Sequence, residues 1–347
     1  MAVGSYTSQD GKRRPLLAIT KDSGVTWTFP TAVTTPNINP AFSKNGNLNN
    51  VYYYGGTWFI LGSYNDGRLD TQGLPAERLL FAKSTNSGAS WVYPATMLHP
   101  LTTPAFNNKK SEVTGISCSG RTCIATGYYE DTKGIFRPLL ALSTNLGSTW
   151  TFPKAASNPT TSPAFLKYGG YYKVSCYTKN CVAVGFYTDT SNKMRPLMIV
   201  TNDLGKTWHF PAAISQLQGL TVIPSTTTLL ALSGVACRGI SCIATGFSEP
   251  KTGFKKPLLA VSKDYGKTWV YNKSIFKSNV GRSLYTPIYQ GKTCMILGSE
   301  TTPTSSKPLI GITQNNGDTW VYPTQVQQPT LHPPFVSYGT FTQFGDW

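Results

Sequence analysis

Ser143-Thr-Asn-Leu-Gly-Ser-Thr-Trp150 decides the fold, because the chain writes this pattern six times. The copies are residues 20–27, 84–91, 143–150, 201–208, 262–269 and 313–320. Each opens on Ser or Thr, carries Asp or Asn at its third place and Gly at its fifth, and ends on Trp. The third place holds Asp22, Asn86, Asn145, Asp203, Asp264 and Asn315. A short Asp or Asn side chain accepts hydrogen bonds from amides of its own turn. Gly accepts the positive φ of a tight turn, and Trp is a large apolar anchor. The pattern therefore predicts six β-hairpins.

Working outward, an apolar strand precedes each copy, such as Pro15-Leu-Leu-Ala-Ile19. An aromatic residue follows, with Pro after it in all but the fifth copy: Phe29-Pro30, Tyr93-Pro94, Phe152-Pro153, Phe210-Pro211 and Tyr322-Pro323. Upstream lies a second signal, an apolar strand ending on Gly4, Gly62, Gly127, Gly185, Gly246 or Gly298. One further strand precedes that, for instance Val113-Thr-Gly-Ile-Ser-Cys118. Four short strands per repeat with no helical period predict antiparallel blades. The tail Phe344-Gly-Asp-Trp347 and the start Met1-Ala-Val-Gly-Ser-Tyr6, joined end to end, read like Tyr54 to Tyr64. The expected fold is all-β: one six-bladed β-propeller over residues 1–347, with four-stranded antiparallel blades. Its ring is closed by pairing of the C-terminal strand with the N-terminal blade, which leaves no open edge.

These motifs resemble the Asp-box, or bacterial neuraminidase repeat, of the sialidase superfamily, over nearly the whole chain. The resemblance implies that the six boxes are structural. It places them between the third and fourth strands of each blade, on the face opposite an active site. Non-sialidase hydrolases, receptors and assembly factors carry the same box, so it implies a fold rather than an activity.

Six of the seven cysteines form three Cys-x4-Cys units at one place in three repeats: Cys118/Cys123, Cys176/Cys181 and Cys237/Cys242. Two strands joined by a four-residue turn bring such positions within disulfide reach. Zinc would need further ligands nearby, and the three histidines are not beside them. Three hairpin disulfides are expected, and with them an oxidising, secreted or periplasmic location. Cys294 aligns with the second cysteine of a pair while Tyr289 takes the first place, so a free buried thiol is expected. Tyr53 and Trp58 hold the two places in the second repeat.

Lys and Arg number 31 against 15 Asp and Glu, giving a net charge of +16. That favours anionic partners. Like charges run no longer than Lys12-Arg13-Arg14, so no nucleic-acid tail is expected. No apolar run approaches the roughly 18 residues of a membrane span. No signal peptide is visible, and a leader removed before Met1 is the expectation for an exported chain. No zinc, nucleotide or serine-hydrolase motif occurs, so no cofactor or metal is expected.

With the boxes on one face, the loops on the other would hold any ligand. Basic residues recur at the start of the third strand: Arg14, Arg78, Arg137, Arg195, Lys256 and Lys307. They make either a ring of cations or cross-hairpin ion pairs with the acids that recur beside them. Candidate ligand-binding residues are Arg13, Arg68, Lys109, Lys110, Glu112, Tyr172, Arg282 and Tyr285, and Glu112 is the candidate central carboxylate. The resemblance implies, for a sialidase, three arginines on a carboxylate, a Tyr nucleophile with a Glu partner, and an Asp acid. Arginine is too scarce here to supply the clamp. The leading expectation is thus a secreted, non-catalytic propeller that binds an anionic glycan or a protein partner. A sialidase-like glycoside hydrolase and a structural subunit of an extracellular assembly are the alternatives.

Overall fold

The computed structural model describes residues 1–34, 38, 41–43, 45–69, 73–215, 227–250, 254–272, 280–302 and 304–323. The tail proposed to close the ring lies outside them. The chain divides into two compact units, Met1–Asn158 and Pro159–Trp347.

In the first unit β1 (Ala2–Thr7) pairs with β2 (Arg13–Ala18). A second sheet joins β3 (Gly46–Tyr54), β4 (Thr57–Leu69) and β5 (Pro75–Ser84). A third joins β6 (Phe106–Ser119), β7 (Thr122–Asp131) and β8 (Phe136–Ser143). The second unit repeats the scheme with β9 (Phe165–Tyr177), β10 (Asn180–Asp189) and β11 (Met194–Thr201). Next come β12 (Thr227–Arg238), β13 (Ser241–Pro250), β14 (Lys256–Ser262) and β15 (Val270–Tyr271). Its last sheet holds β16 (Gly281–Gln290), β17 (Thr293–Thr301) and β18 (Ser306–Thr313). All pairings are antiparallel.

The fourth strand is shorter than the sequence predicts. In five repeats it is a single bridged pair: Ile19 with Thr28, Lys83 with Val92, Leu142 with Thr151, Val200 with His209 and Ile312 with Val321. Proline explains this. Two residues after each bridge stands Pro30, Pro94, Pro153, Pro211 or Pro323, and proline cannot donate to a ladder. The fifth repeat has Asn272 there, its N–H reaches the Leu259 carbonyl at 2.8 Å, and β15 forms. After four of the prolines the chain makes single helical turns, at Thr31–Thr34, Ala95–Leu98, Lys154–Ser157 and Ala212–Ser215.

The six repeated turns share one hydrogen-bond scheme. In the fourth copy the Thr201 hydroxyl donates to Asp203 at 2.7 Å and accepts the Gly205 N–H at 2.8 Å. Asp203 also accepts the Thr207 N–H at 2.9 Å. The Trp150, Trp269 and Trp320 indoles donate to the carbonyls of Gly147, Gly266 and Gly317. Trp150 is buried and meets Phe81 edge-on at 5.3 Å.

The strand-ending glycines have a different cause. A Cβ on Gly62, Gly127, Gly185, Gly246 or Gly298 would collide with the carbonyl of Asn47, Glu112, Gly170, Ala231 or Ser283 on the strand before it. Beside each contact that strand shifts register, over Leu48/Asn50, Val113/Gly115, Tyr171/Lys173, Leu232/Gly234 and Leu284/Pro287. A β-bulge adds a residue and bends the strand. The repeated glycine is the room that the bulge needs.

Disulfides join Cys118–Cys123, Cys176–Cys181 and Cys237–Cys242, with Cα atoms 4.0 to 4.1 Å apart. Cys294 is a buried free thiol opposite Tyr289. Burial pushes that thiol up to about 12. Tyr53 packs on Trp58, ring centroids 4.7 Å apart, where the second sheet lacks a disulfide.

Candidate functional site

The bulges place particular side chains. The extra residue is Asn49 in β3, Thr114 in β6, Tyr172 in β9 and Ser233 in β12, and Tyr285 lies in the bulge of β16. In the first unit this aims Asn49 at Glu112. Its Nδ2 donates to Glu112 Oε1 at 2.9 Å, while the Tyr128 hydroxyl donates to Oε2 at 2.8 Å. Glu112 faces Tyr128 in register, one residue from Gly127. Tyr128 packs on Phe136, and the Lys110 ammonium lies 5.5 Å from the centre of the Phe136 ring. Burial raises the Glu112 carboxyl above the ordinary range, the Tyr128 and Asn49 hydrogen bonds and Lys110 oppose this, and Glu77 adds to it. The result is a carboxyl with a raised pKa, flanked by a phenol, an amide, a lysine and an aromatic ring.

Of the candidate residues, Glu112 and Lys110 come together here. Lys109 is a neighbour on β6, where its N–H is held by Asn107. Arg13 is exposed at the start of β2 and donates to Ser5 at 2.7 Å. Arg68 grips Asp66 at 2.5 Å. In the second unit Tyr172 stacks on Phe186, centroids 5.3 Å apart, and the Tyr285 carbonyl accepts from Thr245. Arg282 is buried, paired with Glu300 at 2.7 Å and set over the Tyr322 ring. Tyr128, Asn49 and Phe136 are the residues that sequence reading missed. The signal was present for Tyr128, since a residue beside a strand-ending glycine faces the preceding strand at the bulge.

Four of the six basic positions form ion pairs in their own hairpins. Arg14 pairs with Asp10, Arg78 with Asp66, Arg137 with Asp131 and Arg195 with Asp189, at 2.9, 3.6, 2.9 and 2.8 Å. The fifth hairpin uses Lys255 with Glu249, next to Lys256. In the sixth, Glu300 faces Lys307 in register but turns to Arg282. Among the described residues no group of three or more His, Cys, Asp or Glu could hold a metal, and no helix is long and apolar enough to cross a membrane.

No family model matches the chain, and no curated protein sequence does. Solved structures do. A Hadza microbial sialidase overlaps at 15% identity and TM-score 0.45, covering 76% of this chain and 55% of its own. A Trypanosoma rangeli sialidase, solved as a covalent intermediate with 2,3-difluorosialic acid, overlaps at 13% identity and TM-score 0.49, covering 86% and 49%. The chain thus spans about half the length of these sialidases. An ulvan lyase, described as a new polysaccharide lyase family and bound to a GlcA–rhamnose-sulfate saccharide, overlaps at 11% identity and TM-score 0.50, covering 92% and 79%. At these identities the likeness is one of fold, in keeping with antiparallel sheets of two to four strands.

Proposed function

We propose that this chain is a secreted, non-catalytic six-bladed propeller, its ring closed by the C-terminal strand, that binds an anionic glycan. The site is the Glu112, Lys110, Asn49, Tyr128 and Phe136 cluster in the first unit. A sugar ring packs on the aromatic side chains, its hydroxyls meet Asn49 and Tyr128, and its acid group meets Lys110 and Lys109.

The supporting observation is how the cations are used. Six of the nine arginines are engaged by carboxylates: Arg14, Arg68, Arg78, Arg137, Arg195 and Arg282. Arg121 and Arg238 sit in or beside the disulfide turns, leaving Arg13 alone. A three-arginine clamp has no supply, while most of the cations behind the surplus charge of +16 are lysines. The ulvan lyase, with its acidic saccharide, is a further support. The three disulfides support export. A glycan array read at low and high ionic strength tests the proposal. Binding to acidic glycans that weakens with salt is expected; an array silent at every ionic strength counts against it.

A sialidase-like hydrolase is the second reading, favoured by the Tyr128–Glu112 hydrogen bond of 2.8 Å. A phenol beside a carboxylate is the pairing of nucleophile and base. Turnover of a fluorogenic sialoside, lost in both Tyr128→Phe and Glu112→Gln, would establish it. An inert wild type would remove it.

A further inference from the structure

A different recess opens in the second unit, at the end of the sheets that carries the repeated turns and the disulfides. It holds about 310 Å³ and is lined by Thr178, Lys179, Asn180, Asn202, Tyr265 and Lys267. Its wall is fixed by hydrogen bonds. Asn202 Nδ2 donates to Asn180 Oδ1 at 2.8 Å and to the Tyr265 carbonyl at 2.9 Å, and the Leu204 N–H reaches the Lys179 carbonyl at 3.0 Å. Two lysines line it and no carboxylate does. Neither ammonium forms an ion pair among the described residues. The adjacent acids are engaged in their own turns, Asp203 by Thr201 and Thr207 and Asp264 by Ser262 and Thr268.

Comparison between repeats makes the recess distinctive. At the next junction Asp318 stands where Lys267 stands here, and it pairs with Lys263 at 2.6 Å. That junction is neutral, and this one carries two uncompensated charges. The residue types differ from the other repeats at the same spot, while the backbone does not. Thr178 takes, at φ 53°, the positive φ that Gly55, Gly120, Gly239 and Gly291 take in the other strand-one turns. Tyr265, 39% exposed, takes at φ 64° the positive φ that Ser23, Ser87, Leu146, Leu204 and Asn316 take in theirs.

We infer that this recess is a second saccharide subsite, taking a single sulfated or carboxylated sugar ring. Lys179 and Lys267 clasp the anionic group, Tyr265 offers a face for the ring, and Thr178 and the two asparagines meet its hydroxyls. The inference does not depend on the Glu112 cluster.

Calorimetric titration of the full chain at low ionic strength tests it, with glucose 6-sulfate, glucose and inorganic sulfate as probes. The sugar sulfate is expected to bind and glucose not to. The Lys179→Gln/Lys267→Gln variant should weaken the sugar sulfate at least about tenfold, through loss of two charge-assisted contacts. Tyr265→Asn borrows the residue of the sixth repeat, so it should fold normally. It should weaken the sugar sulfate and leave inorganic sulfate unchanged. The double lysine variant should lose as much in a Lys110→Gln background as in the wild type, which separates this subsite from the first. A wild type that ignores the sugar sulfate overturns the inference, as does a double lysine variant that binds it unchanged. Equal binding of inorganic sulfate with no effect of Tyr265→Asn also overturns it, reducing the recess to a free-anion site.

Discussion

At the residue scale, two glycines of the same sequence motif have different environments. A Cβ at Gly127 would drive into the Glu112 carbonyl, whereas one at Gly4 meets nothing within 4 Å among the described residues. Gly127→Ala is therefore expected to cost about 3 kcal/mol or more by overpacking. Gly4→Ala should cost a similar amount by urea denaturation if the C-terminal strand pairs with β1 as proposed, and a near-neutral change would contradict that pairing. Glu112 carries a pH signature. Its carboxyl is raised on folding, chiefly by burial, so the folded chain holds that proton more tightly than the unfolded chain does. The associated stability is complete below the unfolded pKa and is lost as pH rises through the folded one. Denaturation midpoints measured across that window should fall in the wild type and stay flatter in Glu112→Gln. The place of Glu112 on the first strand of its repeat was legible in the sequence, though it stands midway along β6 and not at the strand's entrance. Its partners were not, because a bulge changes which residues face each other, and a bulge is invisible until the register is known.

At the scale of elements, the repeat was legible because each turn satisfies itself locally, through Asp22 or Asn145 as much as through Asp203. The fourth strand was misjudged because its length is set by Pro30, Pro94, Pro153, Pro211 and Pro323, residues outside the turn. The hairpin disulfides close short loops, and chain-entropy reasoning gives about 2 kcal/mol for one of them. Replacing Cys176 and Cys181 together by Ser should lower stability by about that amount by chemical denaturation. Ion pairs tie the strands together at the opposite end of the hairpins. Buried Asp189 accepts the Ser191 and Lys193 N–H groups and Arg195 Nε at 2.8, 2.9 and 2.8 Å. Burial alone would raise its carboxyl, but these bonds hold it below the ordinary range. Its contribution is present above the unfolded pKa and disappears as pH falls through the folded one. Asp189→Asn should cost about 3 kcal/mol at neutral pH, and the gap from wild type should narrow in acid.

At the scale of the molecule, charge and architecture are separate facts that meet in the proposed function. The excess of cations was plain from composition, but which cations remain available was not. Four arginines that read as a possible ring are spent on Asp10, Asp66, Asp131 and Asp189, while Lys179 and Lys267 face no carboxylate in their recess. Ring closure through Trp347 rests on the sequence pattern alone. The most direct measurement of the central claim compares one acidic polysaccharide with its carboxyl-reduced, desulfated counterpart, by calorimetry at several salt concentrations. The account expects tight binding of the acidic form that weakens steadily with salt, and no binding of the neutral form. Equal affinity for both forms, or affinity for neither, would contradict it.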